Sequence, residues 1–218
     1  MNFVGHIVVA ALTGAPTTPT PDAVLLGAAV PDFAAWRRFR MIGAQASGTH
    51  IGDGITLHHR TDSIFHAHPS FTDSQRRIRD QLVASNVPRG AARACAHVGI
   101  EMMIDGALLR SPDTQRATQR TLGAIGARPD GLALLTREPA EQWLAHLDSV
   151  AAYGIPSGYL SPPMLAERLF RILRGRRRLV LPAEHVETVA TVLGAHRNEI
   201  VDFADALAHD VADTLTLG

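Results

Sequence analysis

The sequence predicts an all-α protein, and three observations predict it. Apolar residues recur at helical spacing along nearly the whole chain, and no segment sustains the alternation of β-branched residues that marks a half-buried strand. The apolar content, 46% of 218 residues, is mostly Ala, Leu, Val and Ile, with only 5% aromatic residues. Such a mixture suits helices that pack closely through small side chains. Recurring Pro-Asp pairs punctuate the periodic segments and read as helix starts, with the proline in the first turn and the carboxylate near the positive end of the helix dipole.

Taken in order, a first helix is expected from about Asn2 to Thr13, stopped by GAPTTPTP. A second starts after Pro21-Asp22 and continues to about Val30, where Pro31-Asp32 should interrupt it before FAAWRRFRM resumes. The segment GAQASG reads as a joint. The next helix, about His50 to His66, has Gly52 and Gly54 in its first turns, which weaken it. His68-Pro69 breaks that helix, and SFTDSQRRIRDQLVAS restarts as an amphipathic one. Pro88 opens a long helix to Leu109, Pro112-Asp113 opens another, and Pro129-Asp130 opens a short one. Residues 139–152 are helical, YGIPSGYLSPP is a loop, and the helix of Met164 to Leu173 ends in the basic run RGRRR. Pro182 opens a last long helix to about Leu215, with Gly194 as its weak point.

The length suits one domain, or residues 1–155 with a C-terminal helical extension, 156–218, packed on the same core. Equal numbers of basic and acidic residues, 21 of each, leave no broad positive field to recruit nucleic acid. The single cysteine, Cys95, lies on an apolar helical face and reads as a buried, inert thiol. It excludes an internal disulfide and a thiolate zinc cluster, so any metal must be held by His and carboxylates. The apolar N-terminus lacks a positively charged start and is interrupted by His6, and no run reaches the roughly 18–20 apolar residues of a membrane helix. A cytoplasmic protein is expected.

The chemistry concentrates in LHHRTDSIFHAH, Leu57 to His68, which holds four of the chain's eleven histidines. His58 and Asp62 are four apart on one expected helix, so both project from one face. They form either a pair of metal ligands or a helix-stabilising contact. In HVGIEMMID, His97, Glu101 and Asp105 make one polar stripe along a helix otherwise built of Val, Ile, Met, Ala and Leu. Burying such groups costs several kcal/mol each unless they are paired or bind a cation, whereas an exposed helix edge would cost nothing. His6 sits on an apolar first helix and reads as a core histidine or a ligand. Asp32, after Pro31, reads as a helix N-cap or a ligand.

In order, these segments resemble the acyl carrier protein phosphodiesterases, a branch of the HD-domain-like metal phosphohydrolases. The matching stretches are MNFVGH with His6, LLGAAVPDF with Asp32, GITLHHRTDSIFHAHP with His58, Arg60, Asp62 and His68-Pro69, and EMMIDGALL with Glu101 and Asp105. The resemblance covers roughly residues 1–110. It departs from the family pattern at Asp105-Gly106, where Asp-His is usual, and at Phe65-His66, where Thr-Asp is usual. His59 and His97 are additional imidazoles.

The resemblance implies an HD-domain-like bundle that cleaves the phosphodiester between 4′-phosphopantetheine and a serine of acyl carrier protein. It also implies a divalent metal, Mn2+ first and Zn2+ or Fe2+ next, held by His58, Asp62 and Asp105, then Asp32 and His6. Glu101 or His97 would complete or orient the sphere. Arg60 is the candidate phosphate clamp, since a guanidinium grips two phosphate oxygens, and His59 and Glu101 are the other candidate catalytic groups. RGRRR, Arg174 to Arg178, would steer the acidic carrier protein or serve only as a solvated helix end. The alternatives are a zinc phospholipase C-like or nuclease-like hydrolase, favoured by the His97–Glu101 spacing, and a non-catalytic metal-binding helical module.

Overall fold

The computed structural model describes residues 1–14, 19–42 and 48–217. It is all-α: the described residues form nine α-helices and no strand. These are α1 (Phe3–Leu12), α2 (Asp22–Arg37), α3 (His50–Phe65), α4 (Pro69–Ala84), α5 (Arg89–Leu108), α6 (Pro112–Ala127), α7 (Ala140–Tyr153), α8 (Pro162–Leu173) and α9 (Val186–Leu217). The expected helix after Pro129-Asp130 is a single 3-10 turn, Leu132–Leu134, and a second 3-10 turn, Ala183–His185, leads into α9. Most of the expected joint GAQASG, residues 43–47, and residues 15–18 of the first linker lie outside the described residues.

One expected break does not occur. Pro31 does not end α2, which runs through it to Arg37. Proline inside a helix removes one amide donor and crowds the carbonyl four residues back, yet the flanking Val30, Phe33 and Ala34 are all buried, and their packing holds the helix together. Asp32 is therefore an interior helical residue, not an N-cap. α9 runs through Gly194, as the expected helix to about Leu215 does. The expected role of His68-Pro69 as a helix restart is observed: Pro69 opens α4, and His68 Nδ1 caps it by accepting from the Ser70 amide at 3.2 Å.

The chain falls into two compact units that interleave in sequence, rather than dividing once near residue 155. The first comprises residues 1–64, 108–156 and 208–218, and the second residues 65–107 and 157–207. In the first unit α1 packs on α2, α6 packs against both, and α7 packs on α6. Phe3, Ile7, Leu25, Leu26 and Phe33 fill this core, with Phe3 and Phe33 in ring contact at 5.2 Å. Trp143 on α7 is fully buried with its indole N–H satisfied by the Leu132 carbonyl at 2.8 Å. In the second unit Ile78, Leu82, Ile100, Leu165, Leu169 and Leu193 are buried. Cys95 belongs to this core, and burial pushes its thiol pKa up to about 12, which makes it inert as expected.

The crossing of α2 and α3 positions the site. Gly27 and Gly54 face each other so closely that a Cβ on Gly54 would lie 2.1 Å from the Val24 carbonyl oxygen, and one on Gly27 2.2 Å from that of Ile51. Only hydrogen fits at either place. What reads in the sequence as a weak first turn of α3 is the point at which two helix backbones touch.

Candidate metal centre

His58 follows Gly54 by one turn, so the close crossing brings its ring against α2. His58 Nδ1 lies 2.9 Å from the Ala28 carbonyl oxygen. A carbonyl only accepts, so Nδ1 carries the proton and donates. His6 of α1 stacks on the same ring, with centroids 3.8 Å apart and planes at 26°. Burial, and then the adjacent His6, push the His58 pKa down to about 3. The ring is therefore neutral near pH 7, and its Nε2 presents a lone pair. That lone pair stands 3.5 Å from Asp62 Oδ2, a distance that would define an ion pair only for a protonated ring.

Asp62 turns its other oxygen, Oδ1, to His6 Nε2 at 3.2 Å and to the Met1 amino nitrogen at 3.3 Å. Burial alone would raise its pKa. The hydrogen bond with His6 and the neighbouring positive charge outweigh burial and hold the carboxyl well below the usual range. Asp32 Oδ2 lies 3.9 Å from His6 Nε2, and one ligand atom each from His6, Asp32 and His58 fall within 4.8 Å of one another. Two imidazoles and two carboxylates thus converge. His6 Nε2, 3.1 Å from the Met1 carbonyl oxygen, carries its proton and donates, whereas the His58 Nε2 lone pair faces the anionic Asp62 Oδ2 across a short gap. A divalent cation fits that donor set, since it turns the repulsion between lone pairs into coordination, and imidazole with carboxylate suits zinc, manganese or iron. The hydrogen bond from His58 Nδ1 to Ala28 is the kind that fixes the orientation of a ligating imidazole from behind.

The remaining predicted residues are distributed as follows. His59 is exposed, with its ring edge-on to His58 at 5.3 Å. Arg60 is exposed, and one of its N–H groups donates to the Leu215 carbonyl at 3.2 Å, which leaves the rest of the guanidinium for other partners. Asp105 lies on α5 in the second unit and is completely buried. The polar stripe of α5 becomes steadily more buried along the helix: side-chain exposure is 37% at His97 and 12% at Glu101, and Asp105 is at 0%.

The second unit contains a group of its own. His66, His97 and Glu101 gather their ligand atoms within 4.8 Å of one another. The sequence marks His66 only as a departure from a family pattern, because it lies just past α3 and shares no helical spacing with α5. Its one local signal is membership of the histidine-rich segment. Burial would raise the Glu101 pKa, but hydrogen bonds with His66 and His97 help to hold it well below the usual range.

No family model, curated protein or solved structure matches this chain. The functional reading therefore rests on the residues. The donor set in the first unit was assembled from three helices, and its members fall in chain order at His6, Asp32, His58 and Asp62. At Gly106 a Cβ would meet Tyr159 Cβ at 2.9 Å and Leu160 Cγ at 3.0 Å. A histidine would need Tyr159 and Leu160 to move.

Proposed function

We propose that this chain is a metal-dependent phosphodiesterase of the HD-domain-like kind, and that 4′-phosphopantetheinyl acyl carrier protein is its substrate class. The observation that carries the proposal is the convergence of His6, Asp32, His58 and Asp62, the residues the family resemblance picks out in the same order. A bound divalent metal, with Mn2+ the first candidate, would neutralise phosphate charge and lower the pKa of a coordinated water. This chain's residues do the rest. Burial and the stacked His6 keep His58 neutral, the Ala28 carbonyl orients its ring, and Asp62 and Asp32 supply the anionic charge that a hard cation requires. Arg60 lies on α3 as the candidate phosphate clamp, with His59 as the other candidate to act on substrate.

No helix among the described residues is long and apolar enough to cross a membrane. A cytoplasmic enzyme acting on an acidic carrier protein accords with that. The test is hydrolysis of a bis-aryl phosphodiester by protein loaded with Mn2+. Metal-dependent turnover that disappears with chelator supports the reading. Stoichiometric metal without turnover on either this ester or the carrier protein would leave the non-catalytic metal-binding module as the function.

The basic run after α8 is where a carrier protein would dock, and Arg174, Arg176, Arg177 and Arg178 are all exposed. Changing Arg176, Arg177 and Arg178 to Ala should raise the apparent KM for the carrier protein severalfold at low salt, with kcat unchanged and the difference fading toward about 0.5 M salt. A KM with the same salt dependence in both proteins would return RGRRR to a solvated helix end.

A further inference from the structure

We infer that His66, His97 and Glu101 form a separate binding site in the second unit for a borderline divalent transition ion such as zinc or ferrous iron. Two imidazole nitrogens converge on one carboxylate oxygen: His66 Nε2 lies 3.1 Å and His97 Nε2 3.2 Å from Glu101 Oε1. Three donors each about 2.1 Å from a tetrahedral ion are about 3.4 Å apart. Two of the three spacings are already close to that, and the third is within 4.8 Å. The rings lie nearly parallel, with centroids 5.0 Å apart and planes at 22°. Phe71 sets its ring against both, at 5.3 Å from each and with interplanar angles of 64° and 87°.

His97 is held from its outer side as well, since the Gln75 side-chain amide lies 2.7 Å from Nδ1. A half-turn of that amide exchanges its oxygen and nitrogen, makes Nδ1–H the donor, and leaves the Nε2 lone pair toward Glu101. Ligating imidazoles make such a bond on the nitrogen away from the metal. One carboxylate and two imidazoles leave coordination positions for water, and the 36% and 37% exposure of the two histidine side chains leaves them open to solvent. Two histidines and one carboxylate with open positions favour zinc or ferrous iron over magnesium or calcium, which take oxygen ligands.

The experiment uses the full chain and Co2+ alone as the probe. The wild type should bind cobalt in two environments. His66→Gln and His97→Gln should each lose one equivalent, weakened by more than about a hundredfold, because even the groups behind a ligand are worth about 10–100-fold. Asp62→Asn should keep this equivalent, which separates a failure here from a failure of the first centre. His97→Cys supplies a gain of signal: a sulfur-to-cobalt charge-transfer absorption that the wild type lacks. A folded His97→Cys protein without that absorption, or a His66→Gln protein with wild-type stoichiometry and affinity, overturns the assignment.

Discussion

Asp62→Asn should abolish the rise in melting temperature expected of the wild-type protein in Mn2+. A ligand at a hundred times its Kd adds about 2.7 kcal/mol to stability. For a chain of this size that corresponds to a shift of about 5–10 °C. The amide keeps the shape of the carboxylate and removes the charge that faces His6 Nε2 and His58 Nε2 across 3.2 and 3.5 Å. Metal-dependent turnover should fall by orders of magnitude with it. With chelator present, the variant should melt somewhat below the wild type. The sign follows from the pKa, because the folded protein holds the Asp62 carboxyl below its ordinary range and so favours the anion above that range. His6 and the Met1 amino group stand beside the carboxylate and favour its anionic form. Melting curves of both proteins with chelator and with Mn2+ check the prediction. An equal loss of stability in the two conditions would make Asp62 a structural partner of the histidines and not a ligand.

Gly54→Ala should cost more than any surface change in this protein and should damage the proposed metal centre from a distance. The added carbon would sit 2.1 Å from the Val24 carbonyl oxygen, 2.7 Å from the Ala28 nitrogen and 2.8 Å from the Gly27 Cα. All three are backbone atoms, so no rotamer change relieves the clash, and α3 must move away from α2. Overpacking of a core costs about 1–3 kcal/mol when side chains can adjust. Here the expected loss is at or above the top of that range. Separation of the helices also lengthens the hydrogen bond from His58 to Ala28, so the affinity for Mn2+ should fall along with the denaturant midpoint. Gly123→Ala is the matched control, since Gly123 is exposed inside α6 with nothing within 4 Å of an added carbon. That change should stabilise by about 0.5–1 kcal/mol, the ordinary gain of alanine over glycine in a helix. A loss below about 1 kcal/mol in Gly54→Ala with metal binding intact would refute the close-crossing account.

Much of the helical architecture was legible because its signals are local. Prolines at 69 and 112 open helices as the first-turn rule requires, Pro162 opens α8 although it reads as loop in the sequence, and the apolar periodicity of α5 and α9 runs on through both helices. Pro31 misled because propensity is a weak prior and buried packing on both sides of it overrides the break. His58 and Asp62 were legible as a pair, since four residues along a helix is one turn, and so were His97 and Glu101.

By itself, then, the sequence determined the all-α class, most helix starts, the inert Cys95 and the two i, i+4 pairs of ligand-type side chains. Tertiary structure alone decided which groups share a focus. His6 and Asp32 reach His58 because Gly27 and Gly54 let α2 and α3 cross at backbone contact, and nothing in the spacing of either helix encodes that crossing. His66 joins His97 and Glu101 rather than His58 because α3 ends at Phe65, one residue before it, so His66 no longer follows the helix face that carries His58 and Asp62. Helical periodicity specifies direction only within one helix. Where two helices meet is set by the small side chains at the crossing, and those look like weaknesses until the partner backbone is in place.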